Sequence, residues 1–367
     1  MSALHATIDL DDADGLIAAD RDGLLRAASM AGAQVRATAS AVDEGALDGP
    51  GGLGRGERPR SVIWVAGRGA AESAGAILAA TAGGAIAVPI VLAAEVPPWI
   101  GPLDVLVVAG DDPGDPVLAQ AAATGVRRGA RVVVAAPYEG PLRDITAGRV
   151  SVLAPRVWVP DEFALSGYLA AGLATLERID PAVRVDLAAL ADELDAEALR
   201  NSAGRELFTN AAKSLADQMT DRSVILAGDN AATLALARHL SAPLLRAGHR
   251  VAAAVGLGDA ITALQAGAGQ GGGGGAAGLD DVAALFHDEE LDGPLPDRLR
   301  VFALTLAADR SAVAARAAAH SDIVLVGAED VPDVLAAPVE PGRPEQQLAT
   351  LAVRLQMAAV YLRLVRG

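Results

Sequence analysis

Residues 61–80 read SVIWVAGRGAAESAGAILAA. The first six are apolar without alternation, then come Gly67-Arg68-Gly69, then an alanine-rich run that suits a helix over 70–80. A continuous apolar run fits a strand buried on both faces, and strand, glycine turn and helix together open a parallel α/β unit. The rhythm continues toward the C-terminus. Strands are expected at 85–92, 104–109, 131–135 and, shorter, at 150–153, with a helix at 116–128. Toward the N-terminus, Leu24, Ala28, Ala31 and Val35 recur at helical spacing, so 12–43 reads as one helix. A glycine- and proline-rich loop over 48–60 separates it from the first strand.

Beyond the first unit, 161–200 is charged and helical and reads as a connection. Asn210 then suits the N-cap of a helix that carries Lys213, Leu215 and Met219. Strand-like runs at 223–227, 250–255, 300–306 and 323–326 repeat the rhythm. The segment 267–278, GAGQGGGGGAAG, reads as a flexible loop. A last helix is expected over 345–364, with Pro344 in its first turn. The predicted class is α/β, with two doubly wound units, parallel five-stranded sheets flanked by helices, and added N- and C-terminal helices. The expected division is 1–60, 61–200 and 201–367.

Composition excludes several classes. No cysteine means no disulfide scaffold, thiolate site or cysteine nucleophile. A net charge of -16 with 3% aromatics argues against nucleic acid as a partner and gives no attraction to anionic lipid. The longest uncharged run, 73–94, is broken by glycines and Pro89, so it reads as helix, turn and strand rather than a membrane span. Residues 1–14 are acidic and carry no signal-peptide pattern, so a cytoplasmic location is expected.

Ligands of open parallel sheets bind beyond the carboxyl ends of the strands. Gly67-Arg68-Gly69 holds such a place. It reads either as an anion cradle at a helix N-terminus or as a tight turn. Gly110-Asp111-Asp112-Pro113-Gly114-Asp115 follows the third strand. Its three carboxylates would repel a phosphate. They suit sugar hydroxyls or a cation, and equally an ordinary turn with a helix cap at Asp115. A cleft is expected between 67–73, including Ser73, and 111–115. In the second unit, Gly228-Asp229-Asn230 takes the corresponding place, with Arg238 and His239 on the helix that follows. A helical histidine reads as a packing residue or a site residue, and so does His249 at the start of a strand. His5, His287 and His320 lack neighbours at metal-ligand spacing, so neither metal nor cofactor is expected. Gly67, Gly69, Gly75 and Glu95 make only an incomplete dinucleotide fingerprint.

The turn VIWVAGRGAAESAG (62–75), the segment LDVLVVAGDDPGDPVL (103–118) and the two-unit order resemble the sugar isomerase (SIS) domain superfamily. Within it the chain is similar to the bifunctional phosphoglucose/phosphomannose isomerases, in their actinobacterial TobH-like branch. Asn210-Ala211-Ala212-Lys213 matches that family's Asn-x-Ala-Lys stretch, and 348–365 fits its closing helix. The resemblance implies a sugar or sugar-phosphate ligand, ligand binding by Lys213, a homodimer and, if the chain is active, an aldose–ketose isomerase. It also implies groups that are missing. The family's first turn carries a serine where Ala71 stands, and its Ser-Gly-Asn-Thr phosphate loop is replaced by 111–115. The family's basic glutamate falls in 241–250, which has no acid, and its histidine in 256–264, which has none. His249 and Asp259 lie near those places and are the candidate catalytic residues. A proton shuttle between C1 and C2 needs a positioned base, and losing one costs about 10²–10⁴-fold. The expected function is therefore a sugar or sugar-phosphate binding protein with degenerate catalytic and phosphate motifs. The alternatives are an active isomerase with rearranged groups and a non-catalytic regulatory or scaffold protein.

Overall fold

The computed structural model describes residues 7–49, 52–53, 58–268, 298–331 and 342–366. Two parallel sheets organise them. The first has the order β2-β1-β3-β4-β5, with β1 Ser61–Ala66, β2 Ile90–Ala93, β3 Asp104–Ala109, β4 Arg131–Ala135 and β5 Ser151–Val152. The second has the order β7-β6-β8-β9, with β6 Arg222–Gly228, β7 Ala252–Gly256, β8 Arg298–Leu304 and β9 Ile323–Val326. Among the described residues it therefore has four strands rather than the expected five. Its order repeats that of the first four strands of the first sheet. In each, the strand order reverses beside the first strand of the unit, and that reversal opens a crevice at the carboxyl ends.

Helices α4 (Ala70–Ala82), α5 (Pro116–Arg127) and α6 (Gly140–Thr146) belong to the first unit. Helices α10 (Ala231–Arg246), α11 (Leu257–Gln265) and α12 (Arg310–Ala317) belong to the second. Between the units run α7 (Leu165–Ile179), α8 (Leu187–Arg200) and α9 (Ala211–Met219). The final helix, α13 (Pro344–Val365), starts with Pro344 in its first turn. It is the one helix among the described residues long and apolar enough to cross a membrane, and 89% of that window is buried inside the fold. A helix apolar on all sides is a core helix when other elements cover it. One apolar core takes in residues of both units, among them Trp64, Leu78, Leu226, Leu236 and Leu355.

Three expectations are corrected. The N-terminal helix is not one but three: α1 Ala13–Ala19, α2 Leu24–Ser29 and α3 Ala31–Asp43. Gly23 adopts φ +67°, which ends helical continuity, and Asp20 accepts the N–H groups of Leu24 and Leu25 to restart it. The second strand begins at Ile90, not at residue 85. Ala85 and Ile86 instead bond back to the Ala82 carbonyl as a turn. The stretch 161–200 is more than a connection, because α7 packs on α3 and α4 and is mostly buried. Close approach explains two glycines there. A Cβ at Gly75 or Gly172 would overlap the Trp64 ring or Leu78, so glycine lets α4 and α7 close over that indole. The glycine-rich loop expected over 267–278 lies, from residue 269, outside the described residues.

Candidate functional site

Two neighbouring cavities open at the carboxyl ends of the first sheet, against α10. The smaller, of about 280 Å³, lies between the start of α4 and the middle of α10. Gly69, Ser73, Glu72, Arg238 and His239 line it, together with Asp161 and Glu162. The larger, of about 610 Å³, is bounded by Asp111, Glu139, Trp158, Tyr168 and Arg246, and shares Asp161 and Glu162 with the first. The shared pair sits in a single 3₁₀ turn, Asp161–Phe163, directly ahead of α7.

Asp161 holds the decisive position. Its carboxylate lies against the first turn of α4, where the Ala70 N–H favours its charged form. A Cβ at Gly69 would overlap its Oδ2, and Gly69 itself sits at φ +68°, so only glycine admits the carboxylate here. The helix N-terminus that could receive a ligand anion is thus filled by the chain's own anion. Burial, then the nearby charge of Asp111, pushes the Asp161 carboxyl above its ordinary range. Arg246 reaches Asp161 Oδ2 at 3.5 Å and Glu162 Oε2 at 3.1 Å. Burial followed by the charges of Asp161 and Asp111 also raises the Tyr168 hydroxyl.

The N-termini of α5 and α10 are closed in the same manner, whereas α6, whose N-cap residue Glu139 lines the larger cavity, has no side-chain cap. Asp115 accepts the Val117 N–H at the start of α5. Asn230 accepts the N–H groups of Ala232 and Thr233 at the start of α10, with Thr233 completing a capping box. Asn230 in turn donates to Asp309, and Asp229 is paired with Arg316. Asp112 accepts the Gly114 N–H and shapes the turn after β3.

His239 is buried, and its Nε2 lies 3.3 Å from the amide nitrogen of Gln356, which also donates to the Glu162 carbonyl. An amide NH₂ can only donate, so Nε2 is the acceptor and the ring is neutral. Burial pushes its pKa down to about 4. The unfolded ring titrates near 6.5, so between those values the unfolded chain holds the extra proton. Stability then rises with pH across this window and is lost on acidification, by up to about 3 kcal/mol. Urea midpoints at pH 7.5 and pH 5 are expected to show the loss, and His239→Gln should shrink it.

The expected site residues are only partly brought together. Gly69, Ser73, Arg238 and His239 line the smaller cavity, and Asp111 lines the larger. Gly67 extends the β1–β3 pairing by donating to the Ala109 carbonyl, and Arg68 is exposed. Lys213 lines neither cavity. Its ammonium donates to the carbonyls of Ala203 and Arg205 at 2.8 and 2.7 Å, over the Tyr361 ring. His249 precedes β7 and so lies at the amino end of the sheet, away from both cavities, with φ +50°. Asp259 is exposed in the first turn of α11 and lines neither cavity. Asp161, Glu162, Tyr168, Trp158 and Arg246 are site residues that sequence reasoning missed. Among the described residues, no group of three His, Asp or Glu is placed to hold a metal ion.

Neither a protein-family model nor a curated protein matches the chain. Solved structures do match its fold. The C-terminal domain of glucosamine-fructose-6-phosphate aminotransferase from Francisella tularensis is 12% identical with a TM-score of 0.59, covering 95% of this chain and 98% of that one. Tagatose-6-phosphate ketose/aldose isomerase from Escherichia coli is 13% identical with a TM-score of 0.56, covering 99% and 96%. A glucose-6-phosphate isomerase like protein from Thermus thermophilus is 18% identical with a TM-score of 0.54, covering 98% and 94%. The chain has the two-sheet α/β fold of these three structures.

Proposed function

We propose that this chain is a sugar-binding protein of SIS fold, in the line of the phosphoglucose/phosphomannose isomerases, that has lost the phosphate cradle and runs no efficient isomerisation. One observation carries the reading. The N-termini of α4, α5 and α10 are occupied by Asp161, Asp115 and Asn230 of the chain itself. A phosphate arriving there meets two carboxylates and an amide oxygen where it would need free N–H donors. What the cavities do offer is hydroxyl chemistry. Carboxylates of Asp161, Glu162 and Glu72 accept from sugar O–H groups, Arg238 donates, and Ser73, whose O–H goes to the Gly69 carbonyl, accepts. Among the described residues Arg238 makes no ion pair, so its guanidinium is free for a ligand. The proposal includes the three-part division at residues 60 and 200, a cytoplasmic location and the homodimer that the SIS resemblance implies.

A coupled assay from mannose 6-phosphate to fructose 6-phosphate tests it. Turnover is expected at least 10²-fold below that of an isomerase with its base in place. A second reading has one observation in its favour. Asp161, raised, and neutral His239 line the same cavity, as an acid–base pair would. Robust turnover that His239→Gln abolishes would establish that reading and remove the first.

A further inference from the structure

We infer that the ligand of the larger cavity is a ring-bearing organic cation, an amino sugar or similar cyclic amine, and that its ring stacks on Trp158. The inference rests on the sugar-binding reading and names the charge of the ligand. Three independent features of the wall converge on it.

The first is an exposed aromatic face. Trp158 lines the 610 Å³ cavity and is 85% exposed, in a chain that has only three tryptophans. An indole face attracts cations through its quadrupole and accepts the C–H face of a saturated ring. The second is uncompensated charge. Asp111, Glu139, Asp161 and Glu162 supply four carboxylates. Of the two arginines in the wall, Arg156 is bound in a bidentate pair by Glu44 at 2.7 and 2.6 Å. Arg246 is shared between Asp161 and Glu162. Among the described residues Asp111 and Glu139 have no cationic partner. The third is hydrogen-bonding capacity left unused in the interior. Asp161 Oδ1 and Glu162 Oε2 are buried with no hydrogen bond, and Glu162 is only 9% exposed. The Arg246 contact to Glu162 is an ion pair without hydrogen-bond geometry. Buried acceptors left unmade cost free energy, and an ammonium brings three donors suited to such oxygens. A phosphate would add a further negative charge to this wall.

Calorimetric titration of the full chain at pH 7 and low salt, with glucosamine, glucose, glucose 6-phosphate and cyclohexylamine, tests the inference. Glucosamine is expected to bind at least about tenfold more tightly than glucose, and glucose 6-phosphate no more tightly than glucose. Trp158→Ala, at an exposed position, is expected to weaken glucosamine about tenfold with an unchanged thermal midpoint. Glu139→Gln is expected to weaken glucosamine several-fold and leave glucose unchanged. Equal affinity for glucosamine and glucose overturns the inference while the sugar-binding reading stands. Binding of cyclohexylamine but of no sugar keeps the cation and removes the sugar. No binding by any of the four removes both.

Discussion

Replacing Arg354 with methionine is expected to cost the fold about 3–5 kcal/mol, read as a fall in the urea midpoint. Arg354 lies in the middle of α13, and both it and Glu197 of α8 are 1% exposed. Its Nε donates to Glu197 Oε1 at 2.6 Å, and its two Nη atoms donate to the carbonyls of Gly327 and Ala328. One guanidinium thereby joins the central helix, α8 and the turn after β9. Glu197 also accepts from Asn201 and from Arg200. Burial alone would raise the Glu197 carboxyl, but Arg354 and then Arg200 outweigh it and hold it below the ordinary range. A depressed acid contributes stability above its unfolded pKa and loses it as the pH falls through the folded one. The deficit of Arg354→Met is therefore largest near neutrality and narrows in acid. Removing both charges, as Arg354→Met with Glu197→Gln, is expected to recover a large part of the loss, because the cost lies in the charge left behind. A double variant no better than the single would show that the backbone carbonyls matter more than the ion pair.

Asp161→Ala is expected to raise affinity for mannose 6-phosphate about tenfold, or about 1.4 kcal/mol. The substitution removes the anion now seated beside the Ala70 N–H at the start of α4. Its removal favours a phosphate at that N-terminus. Neutral mannose should not gain, since it carries nothing for the vacated N–H to hold as an anion. The substitution also relieves crowding between Asp161, Asp111 and Glu162, so loss of the cap is partly offset. An unchanged mannose 6-phosphate affinity, measured by calorimetry, would mean that Asp161 is not what keeps phosphate out.

The α/β frame was legible in the sequence because buried parallel strands read as plain apolar runs. Asp104–Ala109 and Arg131–Ala135 appear at the expected bounds, and α5 ends one residue short of them. The Asn210 cap was legible for the same local reason, since its side chain bonds an N–H three residues on. The N-terminal helices were not, because the apolar spacing of Leu24 to Val35 carries straight across the break at Met30, and Gly23 ends the helical run just before it. The site was legible where it lies on the turn or helix directly after a strand, as Gly69, Ser73, Asp111, Arg238 and His239 do. Asp161 comes 92 residues after Gly69, and nothing local says which helix N-terminus its carboxylate will reach. The available signal was slight: an acid pair behind Pro160, just beyond the last strand of the first unit. His249 does not join the cavities of its own chain for a plain geometric reason. It stands before β7 rather than after it, at the amino end of the sheet, while the cavities open at the carboxyl end. His239 satisfies both of its readings, being packed in the interior and also part of the cavity wall.

The account's central claim is that the crevices hold a sugar without a phosphate cradle. Titrating the full chain with mannose and glucose and with their 6-phosphates tests it most directly. The account expects each free sugar to bind at least as tightly as its phosphate ester. A phosphate ester that binds tenfold or more tightly than its free sugar would contradict it.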